Sequence, residues 1–118
     1  MKRIFLLSLM AFALAACTTT TGAQRYSGTL DWSFETSAFR TDDGQGPWWL
    51  SAEDGKWRDV VAPLQSTGSP YGHLHLVVEG ELSAPGQYGH LGAYARTLRV
   101  TRVIETRLIS ASSPPSGS

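Results

Sequence analysis

Residues 26–34 read "YSGTLDWSF", and their alternation decides the fold. Tyr26, Gly28, Leu30, Trp32 and Phe34 take every second place, and Ser27, Thr29, Asp31 and Ser33 fill the places between. Successive side chains of a strand point to opposite faces, so a period of two predicts a half-buried β-strand with those five residues inward. The same period returns at 73–82, "HLHLVVEGEL". Leu74, Leu76, Val78 and Leu82 share one face there, and His73, His75, Val77 and Glu79 share the other. In "ARTLRVTRVIETRLI", residues 95–109, Leu98 and Val100 keep phase until Val103 stands beside Ile104. That change of phase predicts a bulge of the kind that lets a barrel strand turn a corner.

Working outward, "DDGQGP" at 42–47 is a turn signal, and a short strand follows it at Trp48 to Ser51. One of the adjacent pair Trp48 and Trp49 must then point outward. "SAEDGKWRDVVAPL", 51–64, spaces Trp57, Val60, Val61 and Leu64 by three or four and is the one place for a helix, although Gly55 weakens it. Most of the four tryptophans (Trp32, Trp48, Trp49 and Trp57) are assigned to the core, because a small domain without disulfides needs large buried side chains. Several short strands with Gly- and Pro-bearing connections predict a mostly β fold, best matched by a small OB-like five-stranded open barrel with one short helix. The domain is expected over residues 25–109.

The N-terminus has the layout of an export signal. Lys2 and Arg3 form a basic start, and Ile4 to Ala16 are thirteen apolar or small residues broken only by Ser8. That is short of the roughly 18 residues a membrane span needs, and suits a signal-peptide core. Leu14-Ala15-Ala16-Cys17 resembles the lipobox of bacterial lipoproteins. The resemblance implies cleavage before Cys17, the only cysteine of the 118 residues, and diacylglycerol and palmitate-type acyl chains on it. Small Ala15 and Ala16 suit a narrow cleavage site, and only a thiol gives the thioether. Thr18 stands where an aspartate would retain such a protein at the inner membrane. The outer membrane, facing the periplasm, is therefore the expected address.

Residues 1–16 are thus expected to be removed, leaving 102 of the 118. Lys2 and Arg3 leave with them, so eight basic side chains face ten acidic ones, a net charge of −2. No dense basic patch suggests nucleic acid, and with Cys17 consumed no internal disulfide is possible. Residues 17–24, with "TTTTGAQ" at 18–24, form a flexible tether. "SASSPPSGS", 110–118, has too little apolar surface to bury and is expected to be disordered.

A second resemblance covers most of residues 26–107. "YSGTL", Glu35-x-Ser37-x-Phe39, "WW", "VEGEL" and above all "GQYGHLGAYARTLRVTRV" resemble a group of small bacterial lipoproteins with an OB-like β-barrel. Relatives in that group often carry a cysteine soon after the phenylalanine. Here Phe39 is followed by Arg40, Thr41 and Asp42, so a thiol role does not transfer. The resemblance implies a fold and a membrane address but no reaction.

The stretch "PGQYGHLGAYAR", 85–96, holds the best site residues. Gly86, Gly89 and Gly92 permit positive φ and close backbone approach. Tyr88, His90, Tyr94 and Arg96 form an aromatic and cationic set able to hold a sugar, a peptide or a carboxylate, or else to cap the barrel. His73 and His75 make an H-x-H pair on one strand face, which a metal site could use. Neither a cysteine nor a third nearby histidine supports it, so no metal and no cofactor is expected. Glu35, Ser37 and His90 could be imagined as a hydrolytic set, but the G-x-S-x-G context is missing. The expectation is a non-enzymatic envelope lipoprotein that binds an envelope protein, peptidoglycan or a small ligand. The alternative is a periplasmic metal-binding sensor or chaperone using its histidines.

Overall fold

The computed structural model describes residues 23–112. The signal peptide, Cys17, most of the tether and residues 113–118 lie outside the described residues. Five strands make the fold: β1 (Gln24–Ser33), β2 (Thr36–Thr41), β3 (Trp48–Ser51), β4 (Gly72–Leu82) and β5 (Thr97–Ala111). The helix α1 (Asp54–Val61) continues into a 3-10 segment, Ala62–Thr67, between β3 and β4.

The sheet runs β1-β2-β3-β5-β4 and closes on itself through a β1–β4 pairing. Only β3 and β5 run parallel; the other pairs are antiparallel. This is the expected OB-like five-stranded barrel with one short helix, except that the ring is closed where an open one is expected. It closes fully because β3, although four residues long, pairs with β2 through Trp48 and Trp49 and with β5 through Trp49 to Ser51.

Alternation in sequence becomes alternation in burial. Leu30, Phe39, Leu50, Leu74, Leu76, Val78, Leu98 and Val100 fill the ring, while His73 and Glu81 face out. β1 pairs with β2 on one edge and β4 on the other, and at Gly28 the strands approach so closely that a Cβ would overlap the Arg40 carbonyl oxygen. Trp48 points inward, edge-on to Tyr26 at 5.6 Å, and its neighbour Trp49 points outward.

β5 turns its corner as the phase change predicts. Its register jumps from Glu105 opposite Val77 to Val103 opposite Val78, leaving Ile104 without a partner. Two more shifts fall at Ile109 and Thr101, so the strand coils around the ring. Beneath the barrel, α1 seats Val60, and the 3-10 segment seats Leu64. Trp57 stacks on Trp32 at 4.8 Å, and Thr106 Oγ1 donates to the Val60 carbonyl at 2.7 Å. The expected helix reached Leu64 as one element. It tightens after Val61 because Pro63 has no N–H and its ring obstructs the carbonyl four residues back.

Two expectations need correction. Phe34, inward by the alternation, is 72% exposed, because the chain turns at Phe34-Glu35 with Glu35 left-handed at φ 59°. The ends of the domain also differ. Gln24 pairs with Gly80, and Ser110 and Ala111 pair with His73 and Gly72, so the strands take one residue of the tether and two of the tail. A ladder satisfies backbone groups whatever the side chains, so polar Ser110 can extend a strand that burial alone would not support.

Candidate functional site

Residues 83–96 are a hairpin arm that prolongs the β4–β5 ladder. Ser83 N–H donates to the Thr97 carbonyl, Gly86 N–H to Ala95, and Tyr88 and Tyr94 exchange both backbone bonds at 2.9 and 3.1 Å. At the tip, Gly89 and Gly92 take φ of 73° and 67°, as glycine permits, and Leu91 is left-handed at 58°. Such a position costs a non-glycine residue about 1–2 kcal/mol. Leu91 gains no burial in return, being 88% exposed.

The arm lies against the outward side of β3. Gly89 sits flush on the Trp49 indole, where a Cβ would collide with the ring, and Tyr94 meets Trp49 edge-on at 5.2 Å. At the tip, His90 Nε2 stands 3.0 Å from Glu35 Oε1, clasping the arm to the β1–β2 turn.

Each expected site residue therefore has an internal partner. Tyr88 donates its hydroxyl to the Ala84 carbonyl at 2.9 Å, and Arg96 donates to the Ser83 carbonyl at 2.8 Å. Tyr94 rests on Trp49 and His90 on Glu35. The four follow the arm rather than converge on one hollow. Of the imagined hydrolytic set, Glu35 and His90 meet. Ser37 does not join them: it is 1% exposed inside the barrel and donates to the Leu50 carbonyl at 2.7 Å.

His73 and His75 do share the outer face of β4, but each faces a different carboxylate, Asp31 at 3.6 Å and Asp42 at 3.1 Å. Glu79 stands between Arg25 and Arg102, at 3.6 Å from each. Among the described residues, no three His, Cys, Asp or Glu side chains gather as a metal site requires.

One cluster has no local signature in the sequence. Ser27 Oγ donates to Asp42 Oδ2 at 2.6 Å, and His75 Nε2 approaches the same carboxylate. The Ser27 hydroxyl holds the Asp42 carboxyl below the usual carboxylate range, with His75 adding to the effect. The neighbouring Asp43 is lowered likewise by the Thr41 hydroxyl and by Gln45. Ser, His and Asp meet here, yet without triad geometry. The hydroxyl spends its proton on the carboxylate, and one ring nitrogen faces both partners instead of relaying between them. Beside the cluster is an open groove of about 360 Å³ bordered by Arg25, Tyr26 and Gln45. The stretch that supplies Asp42, "DDGQGP", reads locally only as a turn.

No protein-family model, curated protein or solved structure matches this chain.

Proposed function

We propose that this protein is a lipid-anchored lipoprotein of the bacterial cell envelope, held through acylated Cys17 and facing the periplasm, with the outer membrane favoured. Its barrel is a non-enzymatic binding module for an envelope partner, a protein or peptidoglycan. The observation that carries the reading is Leu14-Ala15-Ala16-Cys17 behind a basic, apolar leader, followed within seven residues by the first strand at Gln24. Two or more acyl chains hold a protein stably on a membrane, at about 0.8 kcal/mol per buried CH₂. Among the described residues no helix is long and apolar enough to cross a membrane.

Binding rather than catalysis is favoured by how the polar side chains are employed. Ser27 donates its proton to the Asp42 carboxylate and Ser37 to the Leu50 carbonyl, neither of them to a histidine. Ser110 Oγ stands 3.3 Å from His73 Nδ1, but on an exposed strand end, with His73 Nε2 3.6 Å from Asp31. The metal-sensing alternative lacks such support, since His73 and His75 each face their own carboxylate.

Cross-linking in cells followed by capture of the full chain tests the reading. The lipidated protein is expected to bring down an envelope partner, and Cys17→Ser is expected to lose palmitate labelling and membrane retention. Palmitate still entering the Cys17→Ser protein would end the lipoprotein reading. Heat on titration with zinc or copper that disappears in His75→Ala would favour the metal alternative.

A further inference from the structure

On the outer face of β1 and β2 lies a groove of about 240 Å³, lined by Thr29, Asp31, Ala38, Arg40 and Pro47. In the ladder Asp31 stands opposite Ala38 and Thr29 opposite Arg40, so Asp31 and Arg40 are diagonal neighbours on one face. They carry opposite charges, yet among the described residues they make no ion pair with each other. Among the described residues Asp31 has His73, at 3.6 Å, and Arg40 has the Gly46 carbonyl, at 3.3 Å. A guanidinium offers five N–H donors and a carboxylate two acceptor oxygens, so both ends keep unused capacity. Between them, the Ala38 methyl and the Pro47 ring supply an apolar floor and wall.

We propose that this groove binds an α-amino-carboxylate zwitterion, its ammonium on Asp31, its carboxylate on Arg40, and a small apolar side chain against Ala38 and Pro47. An α-amino acid carries its ammonium and its carboxylate on one carbon, so a carboxylate and a guanidinium that are diagonal on one strand face can each meet one of them by a charge-assisted hydrogen bond. Two sources carry this chemistry: a free amino acid, and a cell-wall peptide whose diamino-acid side chain ends in ammonium and carboxylate on one carbon. The inference rests on the reading of the barrel as a binding module and is independent of the anchor.

The test is a titration of the ¹⁵N-labelled full chain in detergent, following the amides of Ala38 and Arg40. L-alanine is expected to give saturable shifts. N-acetyl-L-alanine, without the ammonium, and L-alaninamide, without the carboxylate, are each expected to bind about tenfold more weakly or worse. Arg40→Gln and Asp31→Asn should cause a similar loss. Ala38→Leu, which fills the floor and changes no charge, should abolish the shifts even if a charge variant perturbs the fold. A pulldown with purified cell wall separates the sources: retention competed by alanine assigns the peptide, and alanine binding without retention assigns the free amino acid. Absence of a saturable alanine shift, or equal binding of the two blocked analogues, would overturn the proposal. If capture of an envelope partner nevertheless succeeds, only the groove falls and the binding reading stands.

Discussion

The barrel and the arm are built on opposite terms. Inside the ring, Leu30, Leu50, Leu74, Leu76, Val78 and Leu98 are wholly removed from water and touch one another. In the arm, residues 83–96 hold themselves by backbone pairing, one tyrosine on one tryptophan, and a half-exposed histidine–glutamate contact. The ring's contacts are non-directional and add with buried area, at about 25 cal/mol per Å². The arm's contacts are directional and few. Loss of one ring residue should weaken the whole domain, whereas loss of one arm contact should release the arm alone.

The largest effect is therefore expected at Phe39, fully buried and beside Trp48 with ring centroids 6.4 Å apart. Phe39→Ala should cost about 3–5 kcal/mol in chemical denaturation. A cost below about 1 kcal/mol would mean that the ring is not the cooperative unit. Next comes Gly89→Ala, which forces a Cβ against Trp49 at a φ of 73°. The expected cost is about 1–3 kcal/mol. It should appear as a change in tryptophan fluorescence and in amide protection of residues 88–94, with the β4 amides unchanged. Equal loss of protection in β4 would show that arm and ring unfold as one body.

The same contrast explains what could be read in advance. Leu74, Leu76 and Val78 announce their strand because burial on one face writes a period of two into the sequence. Val103 beside Ile104 announces the bulge by breaking that period. Phe34 misleads because apolar alternation runs one residue past the last strand position. Phe34-Glu35 also carries no Gly, Asn or Pro to mark the turn, and Glu35 takes the left-handed conformation without a local sign. Of the arm, the glycines and tyrosines stand out. What they and His90 meet, Trp49 on β3 and Glu35 in the β1–β2 turn, is set by the closure of the barrel and cannot be found from neighbours in the chain. Ser27, Asp42 and His75 come from three separate elements, and nothing local joins them. Asp31 and Arg40 are invisible for the same reason, since only the β1–β2 register makes them diagonal.

A smaller effect tests the cluster on the opposite side of that contrast. Asp42 has its carboxyl lowered first by the Ser27 hydroxyl and then by His75. A carboxyl depressed in the folded state contributes stability that is complete above its unfolded value. That contribution is lost as pH falls through the folded value. Ser27→Ala should move the Asp42 titration upward toward the ordinary carboxylate range, measured by the chemical shift of its side-chain carbon. The onset of acid destabilisation should move up with it, slightly, because the group is solvent-exposed and screened. A titration unmoved by Ser27→Ala would mean that the hydroxyl does not hold this carboxylate in solution.

The smallest expected stability change lies at the clasp and decides what the arm is for. His90 and Glu35 are 3.0 Å apart with side chains 40% and 44% exposed, and exposed pairs of this kind contribute about 0–1 kcal/mol. His90→Ala should therefore leave the denaturation midpoint nearly unchanged, while amide exchange at the tip, from Gly89 to Ala93, speeds up. Arg96→Ala should cost somewhat more, about 1 kcal/mol, because its guanidinium holds the Ser83 carbonyl where the arm leaves the barrel. His90→Ala and Gly89→Ala then separate the roles open to the arm. If its outer surface recognises the envelope partner, His90→Ala should reduce capture while stability holds, since the imidazole and the exposed Leu91 beside it form the tip. If the arm only covers Trp49, capture should survive His90→Ala and fall only when Gly89→Ala lifts the arm away. Capture that withstands both variants would place recognition on another face of the ring, and the groove between Asp31 and Arg40 lies on one.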